Sequence, residues 1–70
     1  MKKEKKFFLN GEEFFSDKTI NLGDIIAYFN YNSSLLVIEY NHFLCPKENW
    51  NKICIDNKDK IELVTIVGGG

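Results

Sequence analysis

The dipeptide Asn10-Gly11 constrains this chain more than any other pair of residues. A two-residue hairpin turn needs positive φ at both central positions, and Asn followed by Gly is the pair that meets this demand best. Lys5-Lys6-Phe7-Phe8-Leu9 precedes the turn and Glu12-Glu13-Phe14-Phe15 follows it. The chain is therefore expected to open as an antiparallel hairpin with strands over 5–9 and 12–15. Ser16-Asp17-Lys18 is a polar break.

The period then changes. Leu22, Ile25, Ile26 and Phe29 fall at i, i+3, i+4 and i+7, which lines one face of a helix. Asn21 is placed to cap it, because its side-chain oxygen can accept an orphan backbone N–H. Asp24 stands in the first turn, where the helix dipole favours negative charge, and Gly23 lowers the helix propensity. Residues 30–34 form a polar exit. Leu35-Leu36-Val37-Ile38 is a short continuous apolar run, the pattern of a strand buried on both faces. Asn41-His42 reads as a turn into a short strand, Phe43-Leu44-Cys45. Pro46 opens a brief 3₁₀ piece through Trp50, since proline suits a first helical position. Ile53-Cys54-Ile55 is expected to pair at an edge, residues 56–59 form a loop, and residues 61–67 form the last strand. A small sheet covered on one side by one helix, an α+β arrangement, accommodates this order.

Size limits what such a chain can do. Seventy residues make one domain that buries only about 60% of the surface of its unfolded form. Six Phe, three Tyr and one Trp supply much of the core. A net charge of −1 gives no electrostatic footprint for nucleic acid. The basic start, Met1-Lys2-Lys3-Glu4-Lys5-Lys6, leads to only three apolar residues, too few for a secretory signal. No run approaches the roughly 20 apolar residues of a membrane span. Cys45 and Cys54, nine apart, match neither a CxxC redox pair nor a zinc pattern, and read as small core residues in a reducing compartment.

The last strand runs into Gly68-Gly69-Gly70 and a terminal carboxylate. Glycine has no Cβ, so such a tail can thread a channel too narrow for side chains. Three extended glycines reach roughly 10 Å. Frayed ends have the same composition, so the tail is informative only with the remaining sequence. The glycines do not form a phosphate-cradling loop, which needs a helix after it.

Four segments with that ending carry a resemblance. They are Leu9-Asn10-Gly11, the short helix, Val37-Ile38-Glu39-Tyr40-Asn41 leading to Pro46-Lys47-Glu48-Asn49-Trp50, and the run from Asp56-Asn57-Lys58-Asp59 to Glu62. With Val67-Gly68-Gly69-Gly70, they resemble the ThiS family of ubiquitin-like, β-grasp sulfur carriers. The resemblance implies a β-grasp domain over 1–67, with a mixed sheet packed on one main helix, and a flexible tail over 68–70. It implies that Gly70 is the sulfur attachment point and that Gly68 and Gly69 thread a partner's channel. A ThiF-like enzyme would adenylate the Gly70 carboxylate with ATP. A cysteine-derived sulfur donor would then make the thiocarboxylate, and a ThiG-like thiazole synthase would receive the sulfur. The chain itself would bind no cofactor and be a protein substrate rather than an enzyme. The family usually carries a glycine in the Asp-rich loop where Asn57-Lys58 stand here. Asn57 tolerates the left-handed conformation such a loop needs.

The remaining polar residues offer little chemistry. His42 lies in a turn with no nucleophile placed beside it by any motif, so it reads as a solvated side chain. Glu12, Glu13, Asp56 and Asp59 lie in turns and read as solvated faces. No metal-ligand spacing occurs. Along the last strand Ile61, Leu63, Thr65 and Val67 alternate with Val64 and Ile66. One helix leaves one sheet face open, so Phe8, Val64 and Ile66, with Val67 at the tail's root, are expected to form a partner-docking patch. Nine Lys without Arg, eight Asn and eight Ile mark an AT-rich genome, fitting a plastid stroma or a bacterial cytoplasm. Three readings remain beside the carrier: a molybdopterin synthase small subunit, a ubiquitin-like modifier, and a non-covalent β-grasp binding module.

Overall fold

The computed structural model describes residues 4–65, the side chain of Ser33 excepted. The opening hairpin pairs β1 (Lys5–Leu9) with β2 (Glu12–Ser16), Leu9 opposite Glu12. The turn takes φ of 51° at Asn10 and 84° at Gly11, as a primed two-residue turn requires.

Helix α1 (Leu22–Tyr28) is held at both ends by asparagine. Asn21 Oδ1 accepts the Asp24 N–H at 2.8 Å, and the Asn21 N–H donates to Asp24 Oδ2 at 2.9 Å. This reciprocal capping box satisfies donors that the first turn leaves orphaned. At the other end Asn30 takes φ 58°. Its N–H then reaches the Ala27 carbonyl and the Tyr31 N–H the Ile26 carbonyl, both at 3.1 Å. The two bonds close a Schellman stop. Gly23 has a packing reason: a Cβ there would lie 1.9 Å from Asn51 Oδ1, in the 3₁₀ helix Lys47–Lys52. The absent Cβ leaves room for the Asn51 side chain against α1.

A 3₁₀ turn (Ser33–Leu35) leads into β3 (Leu36–Tyr40), and β4 (Phe43–Cys45) returns through Asn41 and His42, both at positive φ (51° and 75°). The final strand, β5 (Lys60–Thr65), enters the middle of the sheet. The strand order is β2-β1-β5-β3-β4. β5 runs parallel to β1, with Leu9 opposite Ile61, and antiparallel to β3, with Leu36 opposite Thr65.

Helix residues Leu22, Ile25 and Ile26 pack on one sheet face with Phe7, Leu9, Leu36, Ile38 and Ile61, and Trp50 and Ile55 close the core. Trp50 is buried with its indole N–H satisfied by the Cys45 carbonyl at 3.1 Å. Because only one face is covered, the run beginning at Leu35 is not buried on both sides. Leu36 and Ile38 are buried, Val37 is half-buried, and Leu35 sits in the 3₁₀ turn at 45% exposure. Phe29 caps α1 instead of completing its buried face, and packs edge-on against Phe14 at 5.8 Å. Ile53-Cys54-Ile55 forms no strand but a single bridge between Asn21 and Cys54. Cys45 is buried as expected of a core residue, whereas Cys54 is exposed.

The loop before β5 departs most from the sequence reading. Asp59 is not a solvated carboxylate: it is buried. It accepts hydrogen bonds from the Tyr40 hydroxyl at 2.5 Å, the Asn41 amide at 3.1 Å and the Asp56 N–H at 2.7 Å. Three donors compensate the lost hydration of the charge. The left-handed residue of the loop is Lys58, with φ 70°, rather than Asn57. Asn57 instead accepts the Lys6 N–H on its Oδ1 at 2.9 Å, tying the loop to β1.

Candidate functional site

The segment that leads to the glycine end is held from both sides. β3 pairs with β5 as far as Thr65. On the other side β1 ends at Leu9, and Asn10 Oδ1 takes over by accepting the Leu63 N–H at 2.8 Å. A hairpin-turn residue thus anchors the last strand. On the β3 side, Asn41 Oδ1 accepts the Lys60 N–H at 2.8 Å where β5 begins. The last described residue of β5, Thr65, thus lies at the Leu36 end of the sheet.

Ile66, Val67, Gly68, Gly69 and Gly70 lie outside the described residues. Five extended residues span at most about 18 Å. Phe8 and Val64 are described. Cross-strand partners share a face, so the register sets the neighbours of each. Val64 lies opposite Val37, Glu62 opposite Glu39, and Glu39 opposite Leu44, all on the face without the helix. Phe8 lies on the same face opposite Lys60, with the Lys6 amine 5.8 Å from its ring centroid. Glu62 separates the row of Phe8 from the row of Val64. Val64 is 48% exposed and Leu44 70% exposed. Beside them Leu36, Val37, Leu44, Pro46 and Trp50 line a recess of about 350 Å³. The apolar surface nearest the tail's exit is thus built from Val37, Val64, Leu44 and Pro46. Sequence reading missed Val37 and Leu44. Counting outward from the Asn41-His42 turn would have aligned Leu44 with Glu39, and thus with the open face.

Few groups have shifted acidity. Burial, and then the hydrogen bond to Asp59, push the Tyr40 phenol up. Burial also pushes the Cys45 thiol up, away from the thiolate a nucleophile needs. His42 is exposed on its turn. Among the described residues no group of three His, Cys, Asp or Glu side chains is arranged to hold a metal, and no helix is long and apolar enough to cross a membrane.

A mixed five-stranded sheet, with its last strand inserted centrally and one helix across a single face, is the ubiquitin-like β-grasp. The crystal structure of the thiamine biosynthesis protein ThiS from Geobacter metallireducens shares it, with a TM-score of 0.79 at 18% identity over 93% of this chain and 99% of that one. The ThiS family model matches residues 3–70, and the chain belongs to that family. The ycf40 protein of Trieres chinensis is 64% identical over 94% of this chain and 90% of its own length. The sulfur carrier protein ThiS of Bacillus subtilis is 29% identical over 89% of this chain and 96% of its own length. The thiazole synthase of Paramagnetospirillum magneticum is 26% identical over 93% of this chain, a match that spans 20% of that longer protein.

Proposed function

We propose that this chain carries sulfur for thiazole formation in thiamine biosynthesis, on the carboxylate of Gly70. The observation that carries the reading is the family match, which runs through Gly70 and so includes the three glycines. A carboxylate is a poor electrophile, so sulfur cannot displace its oxygen directly. In the proposed sequence the Gly70 carboxylate attacks the α-phosphate of ATP on a ThiF-like enzyme, releasing pyrophosphate. A cysteine-derived sulfur nucleophile then displaces AMP to leave the thiocarboxylate. The ATP belongs to the partner, and this chain is the substrate. Gly68 and Gly69 thread the partner's channel because neither carries a Cβ.

A ThiG-like thiazole synthase is the proposed acceptor. The relative named thiazole synthase supports it, because a segment similar to this chain stands on the same polypeptide. Val64, Val37 and Leu44 are proposed to seat these partners, with Ile66 and Val67 continuing the contact and Phe8 serving its far edge. The kinship to ycf40 proteins supports a plastid stroma, ycf being a designation of chloroplast reading frames.

The test is sulfur transfer. Carrier already loaded as thiocarboxylate is mixed with thiazole synthase and its small substrates, or with a molybdopterin synthase large subunit and its precursor. Thiazole formation with return of the carboxylate form supports the assignment. Turnover only with the molybdopterin system would move the chain to that pathway.

A further inference from the structure

Asn10-Gly11 brings together a reactive pair of atoms as well as a turn. An asparagine side-chain amide can be attacked at Cγ by the backbone nitrogen of the next residue, which closes a small ring. Glycine permits this best, because no Cβ crowds its nitrogen. Of the eight asparagines, Asn10 alone is followed by glycine. Both residues are exposed, and no atom lies within 4 Å of where a Gly11 Cβ would stand. Water therefore reaches the pair freely.

The folded chain opposes the reaction in two ways. The primed turn holds φ at 51° for Asn10 and 84° for Gly11. Ring closure needs rotation about the Asn10 Cα–C bond, to bring the Gly11 nitrogen beside the side chain, and this leaves the turn conformation. The side chain is also tethered, because Asn10 Oδ1 accepts the Leu63 N–H at 2.8 Å. Joining Cγ to the Gly11 nitrogen pulls that oxygen away. The Asn10 N–H donates in turn to the Ile61 carbonyl at 2.9 Å. One exposed turn residue thus holds β5 by two bonds, just where the pairing with β1 has ended at Leu9.

We propose that Asn10-Gly11 is a deamidation site whose conversion to isoaspartate unties β5, and that the turn and the Leu63 bond hold the conversion back. The Gly11 nitrogen bonds to Asn10 Cγ, and its proton departs with the side-chain amide nitrogen as ammonia. Water then opens the resulting succinimide. Cleavage between the nitrogen and the Asn10 main-chain carbonyl leaves isoaspartate, with the chain routed through Cβ and Cγ. Cleavage between the nitrogen and Cγ leaves aspartate. Either product gains one negative charge. Aspartate keeps a side-chain oxygen for the Leu63 N–H. Isoaspartate does not, because Cγ has become main chain, and the added main-chain atom breaks the two-residue turn. β5 continues in sequence toward Gly70, so the change falls on the strand before the carboxyl end whatever that end does.

The test follows conversion at every asparagine by peptide mapping and mass, with the full chain kept folded or in urea in mildly alkaline buffer. In urea Asn10 should convert first. In the folded chain it should convert at least about tenfold more slowly, because a bond and a turn must open beforehand. The isoaspartyl chain is then purified and refolded, and hydrogen exchange reads the tie. Its Leu63 amide should exchange about tenfold faster than in the starting chain, with the amides of β3 and β4 unchanged. Asn10→Asp, which adds the charge without rerouting the main chain, should leave Leu63 exchange unaltered. Equal rates in urea and in the folded chain, another asparagine converting first in urea, or an isoaspartyl chain with unaltered Leu63 exchange would overturn the proposal. So would an isoaspartyl chain that regains no amide protection, which would make the turn a requirement of the whole fold. Leu63 exchange as fast in Asn10→Asp as in the isoaspartyl chain would assign the effect to charge, and would also overturn it.

Discussion

Asp59 does more for this fold than its place in a polar loop indicates. It is the one buried charged residue among those described, and it joins β3, the turn at Asn41 and its own loop through three hydrogen bonds. Asp59→Ala should lower the unfolding free energy by about 2–3 kcal/mol, read from urea denaturation, because hydrogen bonds to a charged group are lost together. A loss under about 0.5 kcal/mol would show the network to be incidental. Tyr40 gives the pH signature. Its folded-state pKa is raised by burial and by Asp59, so its contribution is full below the ordinary phenol value near 10 and is lost as pH rises beyond it. Stability should therefore fall above about pH 10, and the fall should be shallower in Tyr40→Phe. None of this was legible in the sequence. Asp56 and Asp59 look alike in Asp56-Asn57-Lys58-Asp59, and only the register of β3 against β5, some twenty residues away, brings Tyr40 over one of them.

Elements were more legible than their environments. The turn residues Asn10, Gly11, Asn41 and His42 announce both hairpins because left-handed backbone is a local demand. Asn21 and the period of Leu22, Ile25 and Ile26 define α1 because capping and helical spacing are also local features. Burial misled where it depended on what covers a face: Leu35 and Phe29 have core composition but lie past the helix's reach. Two predictions belong at this scale. Lys58 holds φ 70° with a side chain, so Lys58→Gly should stabilise the chain by about 0.5–1 kcal/mol after the glycine's unfolded-state entropy offsets part of the relief. A destabilised variant would mean that the Lys58 side chain contributes contacts that outweigh the strain. Asn21→Ala breaks the capping box and should cost about 1 kcal/mol in thermal or urea unfolding, whereas an unchanged midpoint would show that α1 is held by packing alone.

On the scale of the whole molecule, the sheet separates two surfaces. β5 sits centrally, tied on its two sides by Asn10 and Asn41. The apolar residues around its Thr65 end, Val64 among them, were partly foreseen from strand alternation. Val37 and Leu44 required knowing which strands become neighbours. With activation proposed at this end, Val64→Asp should slow thiocarboxylate formation roughly tenfold or more by forcing a charge into the partner contact. Its circular dichroism should be unaltered, because Val64 is half exposed. An unchanged rate would remove this face from the activation complex. Intact-protein mass spectrometry reads the proposed chemistry at Gly70. The chain and a version lacking Gly70 are each incubated with a ThiF-like enzyme of proven activity, ATP and a cysteine-derived sulfur source. A carrier should gain the mass of one sulfur for one oxygen, located at Gly70 by fragmentation and absent from the shortened chain. An unmodified Gly70, with a control carrier fully converted in the same mixture, would contradict it.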